Sequence, residues 1–386
     1  MWRWRCVVAR GGLSSFSLLV AVLAAGGCGG GDSFVPPAAD VAPDDAVDLF
    51  VAKGGLPALA VAIVDGGQIL YSKVAGIRKR GDATLVAGDD AFHIGSNTKG
   101  MTALVAGTVV DEGLLKWDST VGDVLGGTVA VGAYGAVTLS QLLSHSSGMP
   151  EYPTAVELAI DAETKPVEDQ RHEAAATALG LSPASAAGTQ FLYAGGNYVV
   201  AGLMLENVTT KSWETLLTER LFVPLGMPHA GFGLPGTPGR VDAPWGHEPD
   251  PVDPGTTDIA PGFGPAGTVH ASLGDLINYV QVYLNGGFGP NGRIVSDATL
   301  AEIETPRLEH YGLGWLTGRS DAGVKRMVHN GSNRRFYSLM VLFPERRAAM
   351  VMLTNDGTDP SWARVDQVAA YFAAHFGLPP KSPWAN

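Results

Sequence analysis

The stretch that decides the fold is "FHIGSNTKG", residues 92–100. Phe92, His93 and Ile94 make a short extended run that meets Gly95, and Ser96 and Lys99 then stand three apart at the start of a helical pattern. Residues at i and i+3 share a helix face. Two readings follow. Ser96 is a helix cap with Lys99 in solvent, or Ser96 is a nucleophile whose proton Lys99 takes, with its own N–H free to hold an oxyanion. The second needs a lysine that gives up its proton near neutrality, well below the ordinary 10.4 or so, which burial or a second cation provides.

The helix that follows, "KGMTALVAGTVVDEG", is apolar and closes at Gly113. Upstream, "PALAVAIVDGGQILYSKVAG" (57–76) reads as a β-hairpin, two apolar runs at 58–64 and 69–75 around Asp65-Gly66-Gly67. The last third repeats the pattern. "VKRMVHNG", "FYSLMVLF" and "AAMVMLT" are strand-like runs separated by short polar turns, the makings of an antiparallel meander. After them a helix is expected with Asp359 as N-cap, Pro360 in the first turn, and an apolar stripe of Trp362, Val365, Ala369, Phe372 and Phe376. The middle, about 96–300, holds helix-like segments and long Pro/Gly loops such as "EPDPVDPGTTDIAP" (248–261). Strands at both ends and helices between predict an α/β (α+β) domain: one antiparallel sheet built from both chain ends, with an inserted, mainly helical lobe and a cleft between them.

The rest of the composition narrows the function. The chain has 386 residues, 46% of them hydrophobic, and a formal charge of −12. An acidic chain without a basic stripe argues against nucleic acid as a partner. Its two cysteines, Cys6 and Cys28, both precede the globular part, which therefore holds no disulfide. Arg3, Arg5 and Arg10, the apolar run 13–25 and then "AAGGCGG" read as a secretory signal over 1–27, too short to span a membrane as an ordinary helix. Cys28 follows Ala25-Gly26-Gly27 as in a bacterial lipobox, with Ala25 where leucine is usual. Lipidation at Cys28 is one expectation, and a plain cleaved signal the other. Residues 28–45, rich in Gly, Pro, Ala and Asp, suit a flexible tether, leaving 46–380 as a single domain. There is no HExxH pair, no Walker loop and no Gly-x-Ser-x-Gly elbow.

Further segments give the Ser96–Lys99 pair a context: "VDEGLLKWDSTVGDVL" (110–125), "VTLSQLLSHSSGMP" (137–150), "FLYAGGNYVVAGLMLE" (191–206), "LFVPLGMPHAGFG" (221–233), "PAGTVHASLGDLINY" (265–279), "YGLGW" (311–315) and "MVHNGSNRRF" (327–336). Together and in this order they resemble the serine β-lactamase and penicillin-recognising superfamily, in its class C, D-Ala-D-Ala carboxypeptidase and esterase branch, over about 45–357. The resemblance implies Ser96 as the acylated nucleophile, Lys99 as its proton acceptor, and Tyr193 as the tyrosine of a Tyr-x-Asn motif that shares the proton work. It implies His329-Asn330-Gly331 as the Lys/His-x-Gly strand, and an oxyanion hole from the N–H groups of Ser96 and Ser332. It implies no metal or organic cofactor.

One position departs from the pattern: Gly195 stands where Tyr-x-Asn has its asparagine, although Tyr198 and Gly202 keep the register. Asn197 is a candidate substitute, and Gly331 and Arg334 join it as candidate substrate contacts. Arg334 and Arg335 suit a substrate carboxylate or a solvated turn. Tyr193 has a plain core reading as well. His145 reads as a structural brace, and Trp315 as core or cleft wall. The expected activity is that of an exported serine hydrolase, periplasmic or at the cell surface and membrane-anchored through Cys28. It would act on ester or amide bonds and be esterase-like in the first instance. The alternatives are a D-alanyl-D-alanine carboxypeptidase or D-aminopeptidase on peptidoglycan-type peptides, a weak class C-type β-lactamase, and a non-catalytic cell-wall sensor.

Overall fold

The computed structural model describes residues 34–151, 165–256, 258–320 and 323–379. The signal-like segment and Cys28 lie outside these residues. The first hairpin forms as β1 (Ala58–Asp65) and β2 (Gln68–Gly76). Gly66 and Gly67 take φ of 59° and 81°, a turn that glycine makes without a Cβ penalty. Downstream come β3 (Ala91–His93), β4 (Gly231–Phe232), β5 (Val269–Ser272), β6 (Leu316–Arg319), β7 (Lys325–Ser332), β8 (Tyr337–Phe343) and β9 (Ala348–Thr354). The main sheet runs β6-β7-β8-β9-β1-β2, so strands from the two ends of the chain meet where β9 pairs antiparallel with β1, Ala60 opposite Leu353.

β1 is buried on both faces, and its alternation shows why. Ala58, Ala60, Ala62 and Val64 join the core beneath the helical lobe. Leu59, Val61 and Ile63 join a second core under the terminal helices α1 (Pro43–Ala52) and α7 (Asp359–His375). In β8, Met340 and Leu342 face the first core, while Leu339, Val341 and Phe343 face the second. A period of two thus feeds two cores from one sheet.

Two expectations need correction. The packed chain begins at least by Phe34 rather than at 46. Phe34 lies 5.5 Å from Phe50, centroid to centroid, and the Tyr371 hydroxyl donates to Val41 O at 2.6 Å, so 34–42 is held down and not a free tether. The N-cap of α7 is Thr358, not Asp359; Thr358 is tied by its own N–H and hydroxyl to Asp356, and Asp359 joins Pro360 in the first turn.

The lobe between β2 and β6 contains α2 (Thr98–Asp111), α3 (Val167–Gly180), α4 (Gly195–Thr209), α5 (Leu273–Leu284) and α6 (Asp297–Glu304), with a small sheet β3-β5-β4. Arg171 of α3 is fully buried between Glu206 and Glu214, which fastens α3 to α4. α2 is buried on every side from Thr98 to Val109. Gly100 makes this crowding feasible: a Cβ there would fall 2.8 Å from the Tyr279 hydroxyl and 2.9 Å from Trp315 Nε1. Gly100→Ala is therefore expected to lower stability by about 1–3 kcal/mol through overpacking, read as a lower urea midpoint at unchanged slope.

Candidate active site

The site is built where the lobe touches the sheet. β3 ends at His93, and one 3₁₀ turn, Gly95–Asn97, leads into α2. Gly95 has φ of 52°, and a Cβ on it would fall 2.4 Å from Ser332 N. The contact is mutual: a Cβ on Gly331 would fall 2.0 Å from Ile94 O and 2.6 Å from Ser96 N. Two glycines thus let the end of β7 lie directly on the turn that carries Ser96. From beneath, the Ser338 hydroxyl of β8 donates to Ile94 O (2.8 Å) and accepts from Asn97 Nδ2 (2.6 Å). The Ser96 N–H lies in the first turn, where helix geometry leaves it unpaired. Its hydroxyl caps neither the turn nor α2.

Lys99 is 3% exposed. Its Nζ lies 2.9 Å from Ser96 Oγ and donates to Ala266 O at 2.7 Å. It also stands over the Tyr193 ring, 4.8 Å from the centroid, and 5.7 Å from that of Tyr198. Tyr193 is 37% exposed, and among the described residues its hydroxyl takes no hydrogen bond. The structure therefore brings Ser96, Lys99 and Tyr193 together, with Lys99 facing the ring of Tyr193.

His329 lies on the same wall, buried. Its Nδ1–H donates to Asn330 O (2.6 Å), and its Nε2 accepts from the Tyr311 hydroxyl (3.0 Å). Burial, with nearby Lys99 adding to it, pushes its pKa down to about 3. A carbonyl on one side and a phenol on the other leave it neutral, with no N–H for a ligand.

His145, fully buried at φ 56°, sits behind Tyr193 with the rings 4.2 Å apart. Its Nδ1 accepts the Ala194 N–H (3.2 Å), and its backbone carbonyl accepts that of Leu192 (2.8 Å). It thereby holds both ends of the Tyr193 segment. Burial, Lys99 and His329 keep it neutral, its pKa well below the usual value.

The candidate substrate contacts divide. Gly331 is in the site through its backbone. Asn197 is not: its amide is fully buried, with Oδ1 accepting from the Ser147 hydroxyl (2.5 Å) and Nδ2 3.3 Å from His145 Nδ1. Both ends of its amide are taken up by these partners, which leaves it nothing to offer a substrate in place of the missing asparagine. Gly195, the first residue of α4, has room: a Cβ would have Ala266 Cβ as its nearest neighbour, at 3.8 Å. Arg334 sits at φ 72° in an exposed turn, 3.8 Å from Glu248. Arg335 is buried, 3.7 Å from the same carboxylate. Trp315 is wholly buried and donates to the Tyr283 hydroxyl (3.0 Å). Tyr311, the partner of His329, was missed by sequence reasoning. It opens the quoted "YGLGW", but no pattern in the sequence ties a tyrosine there to a histidine 18 residues on.

A serine beside a buried amine, with a second backbone segment laid against its N–H, defines a serine hydrolase site on this fold. The chain belongs to the Beta-lactamase family, whose match runs over residues 43–374. It is 28% identical over 337 residues to penicillin-binding protein 4 of Amycolatopsis lactamdurans, covering 82% of this chain and 85% of that one. It is 26% identical over 329 residues to protein flp of Staphylococcus aureus, and there the match spans 81% of this chain but only 62% of the relative. Among solved structures, the octameric penicillin-binding protein homologue from Pyrococcus abyssi superposes with a TM-score of 0.71 at 24% identity, covering 89% of this chain and 78% of that one.

The buried neutral imidazoles set a pH dependence. Burial holds His93 near 4 and His329 near 3, against about 6.5 in an unfolded chain. Below 6.5 the unfolded chain takes up protons that the folded one refuses, so stability is full above about 6.5 and is lost as pH falls toward 4 and 3. The urea midpoint is expected to decline steadily from pH 6.5 to 4, and ¹⁵N NMR at pH 5.5 to show His93, His145 and His329 still neutral.

Proposed function

We propose that the protein hydrolyses neutral carboxylic esters through an acyl-enzyme on Ser96, at the cell surface or in the periplasm, anchored by a lipid on Cys28. Ser96 Oγ attacks the ester carbonyl while Lys99 takes its proton. The N–H groups of Ser96 and Ser332 hold the oxyanion. The alkoxide leaves with a proton relayed through Lys99 and Tyr193, and water then cleaves the acyl-enzyme by the same route.

The observation that carries the ester reading is Gly195. No side chain stands there to orient a substrate amide, and the Asn197 amide is spent on Ser147 and His145. An amide needs that help because its nitrogen is a poor leaving group, and an ester does not. The neutral, doubly bonded His329 adds that it offers no cation to a substrate carboxylate on the wall beside Lys99. A second reading, acylation by penicillins, is favoured by the name of the Amycolatopsis relative.

Incubation with a fluorophosphonate and with a penicillin, followed by mass spectrometry, is expected to place an adduct on Ser96. Parallel assays should rank a p-nitrophenyl ester above a chromogenic cephalosporin and a D-Ala-D-Ala peptide. A folded sample without adducts would remove the catalytic reading, and penicillin adducts lasting hours would favour a sensor. Gly195→Asn is expected to raise cephalosporin or peptide turnover relative to ester turnover. An unchanged ratio would remove the argument from Gly195.

A further inference from the structure

Two backbone segments form the pocket between Ser96 and Ser332, and they belong to different parts of the fold. One is the exit of β3, and the other is the turn after β7. Glycine contacts let them touch but do not fix their spacing. Behind them lies a set of polar side chains that the reaction scheme above does not use.

His93, at the end of β3, is fully buried. Its Nδ1 accepts the Gly95 N–H at 3.1 Å, so the ring proton sits on Nε2. That Nε2 faces Asp258 Oδ2 at 3.6 Å and has no hydrogen-bond partner among the described residues. The same Asp258 oxygen accepts from Asn333 Nδ2 at 3.0 Å. Asn333 follows Ser332, and its Oδ1 accepts the N–H groups of Arg335 (3.2 Å) and Phe336 (2.9 Å), which folds the turn. A single carboxylate oxygen therefore faces the group that holds Gly95 and the group that holds the Ser332 turn. It comes from the long loop 248–261, which also brings Ile259 against Gly267 beneath Gly95.

We propose that Asp258 is the positioning residue of the oxyanion hole, setting the distance between the Ser96 and Ser332 N–H groups through His93 on one side and Asn333 on the other. This rests on the reading of Ser96 as nucleophile and of those two N–H groups as the hole. The groups facing His93 are Asp258, His270 and Arg335. Protonated His93 carries a hydrogen on both nitrogens and can no longer accept from Gly95, so the brace opens in acid. Asp258 favours the protonated ring, while His270 and Arg335 oppose it. Neutralising Asp258 therefore pushes that opening to lower pH.

The test is the rate of labelling by a fluorophosphonate, which reports acylation without assuming a natural substrate. Loss of a whole oxyanion donor costs about 10²–10³-fold. Misplacing one is expected to cost about tenfold, for Asp258→Asn and Asn333→Ala alike, in the limiting labelling rate and not in the half-saturating concentration. The further fall in rate as His93 takes up its proton, near pH 4 in the parent, should move lower in Asp258→Asn. His93→Asn, whose amide oxygen can take over from Nδ1 but which leaves nothing to face Asp258, should lose that fall and cost the rate about as much as Asp258→Asn, whereas His93→Phe, which cannot accept from Gly95 either, should cost more. Variants that are folded by circular dichroism and label like the parent, with the same fall in acid, overturn the brace alone. A parent chain that does not label overturns the nucleophile reading together with it.

Discussion

The structure depends on a close approach of two backbones. The end of β7 lies on the turn before α2 so tightly that neither Gly95 nor Gly331 has space for a Cβ. That contact joins sheet to lobe and puts two segments of unlike origin beside one serine. It also dictates much of what surrounds it. α2 must start under the sheet, so it is buried on all sides, and Gly100 is needed again where Tyr279 and Trp315 close in. The amine of Lys99 is buried with it and finds its partners in Ser96, in the Ala266 carbonyl and in aromatic faces.

Much of this is legible in the sequence, for physical reasons. The hairpin at 58–76 and the meander at 325–354 are strong period-two runs broken by glycine or polar turns, and they appear within a residue or two of where the pattern places them. The Ser96–Lys99 pairing follows from helix spacing alone. Other features depend on tertiary contacts that no local pattern encodes. Asn197 is two residues from where an asparagine was wanted, but which way its amide turns is decided by Ser147, 50 residues away. The partnership of Tyr311 with His329 and the clamp of His145 on the Tyr193 segment are of the same kind. The loop carrying Asp258 reads as Pro/Gly connection, and only the fold shows what its carboxylate faces. Phe34 has a local signature of linker and a tertiary one of core, because a single aromatic in a Pro/Ala stretch found Phe50 to pack against.

The imidazoles show how burial divides labour among similar side chains. His93, His145 and His329 are all neutral and deep, and each uses Nδ1 on nearby backbone. None of these bonds reaches Ser96, whose polar neighbour is the Lys99 amine. The histidines fix backbone and ring positions around that pair.

The pairing of β9 with β1 also bears on the order of assembly. Ala60 waits for Leu353, and the turn of Ser96 waits for Gly331, so neither the central strand nor the surroundings of Ser96 are complete until nearly the whole chain exists. Contacts of such long sequence separation form late and slowly. A nascent chain that ends before Ser332 carries the serine and its lysine but has only one wall of the pocket. The second wall beside Ser96 is thus withheld from every partial chain and arrives with the last third of the sequence.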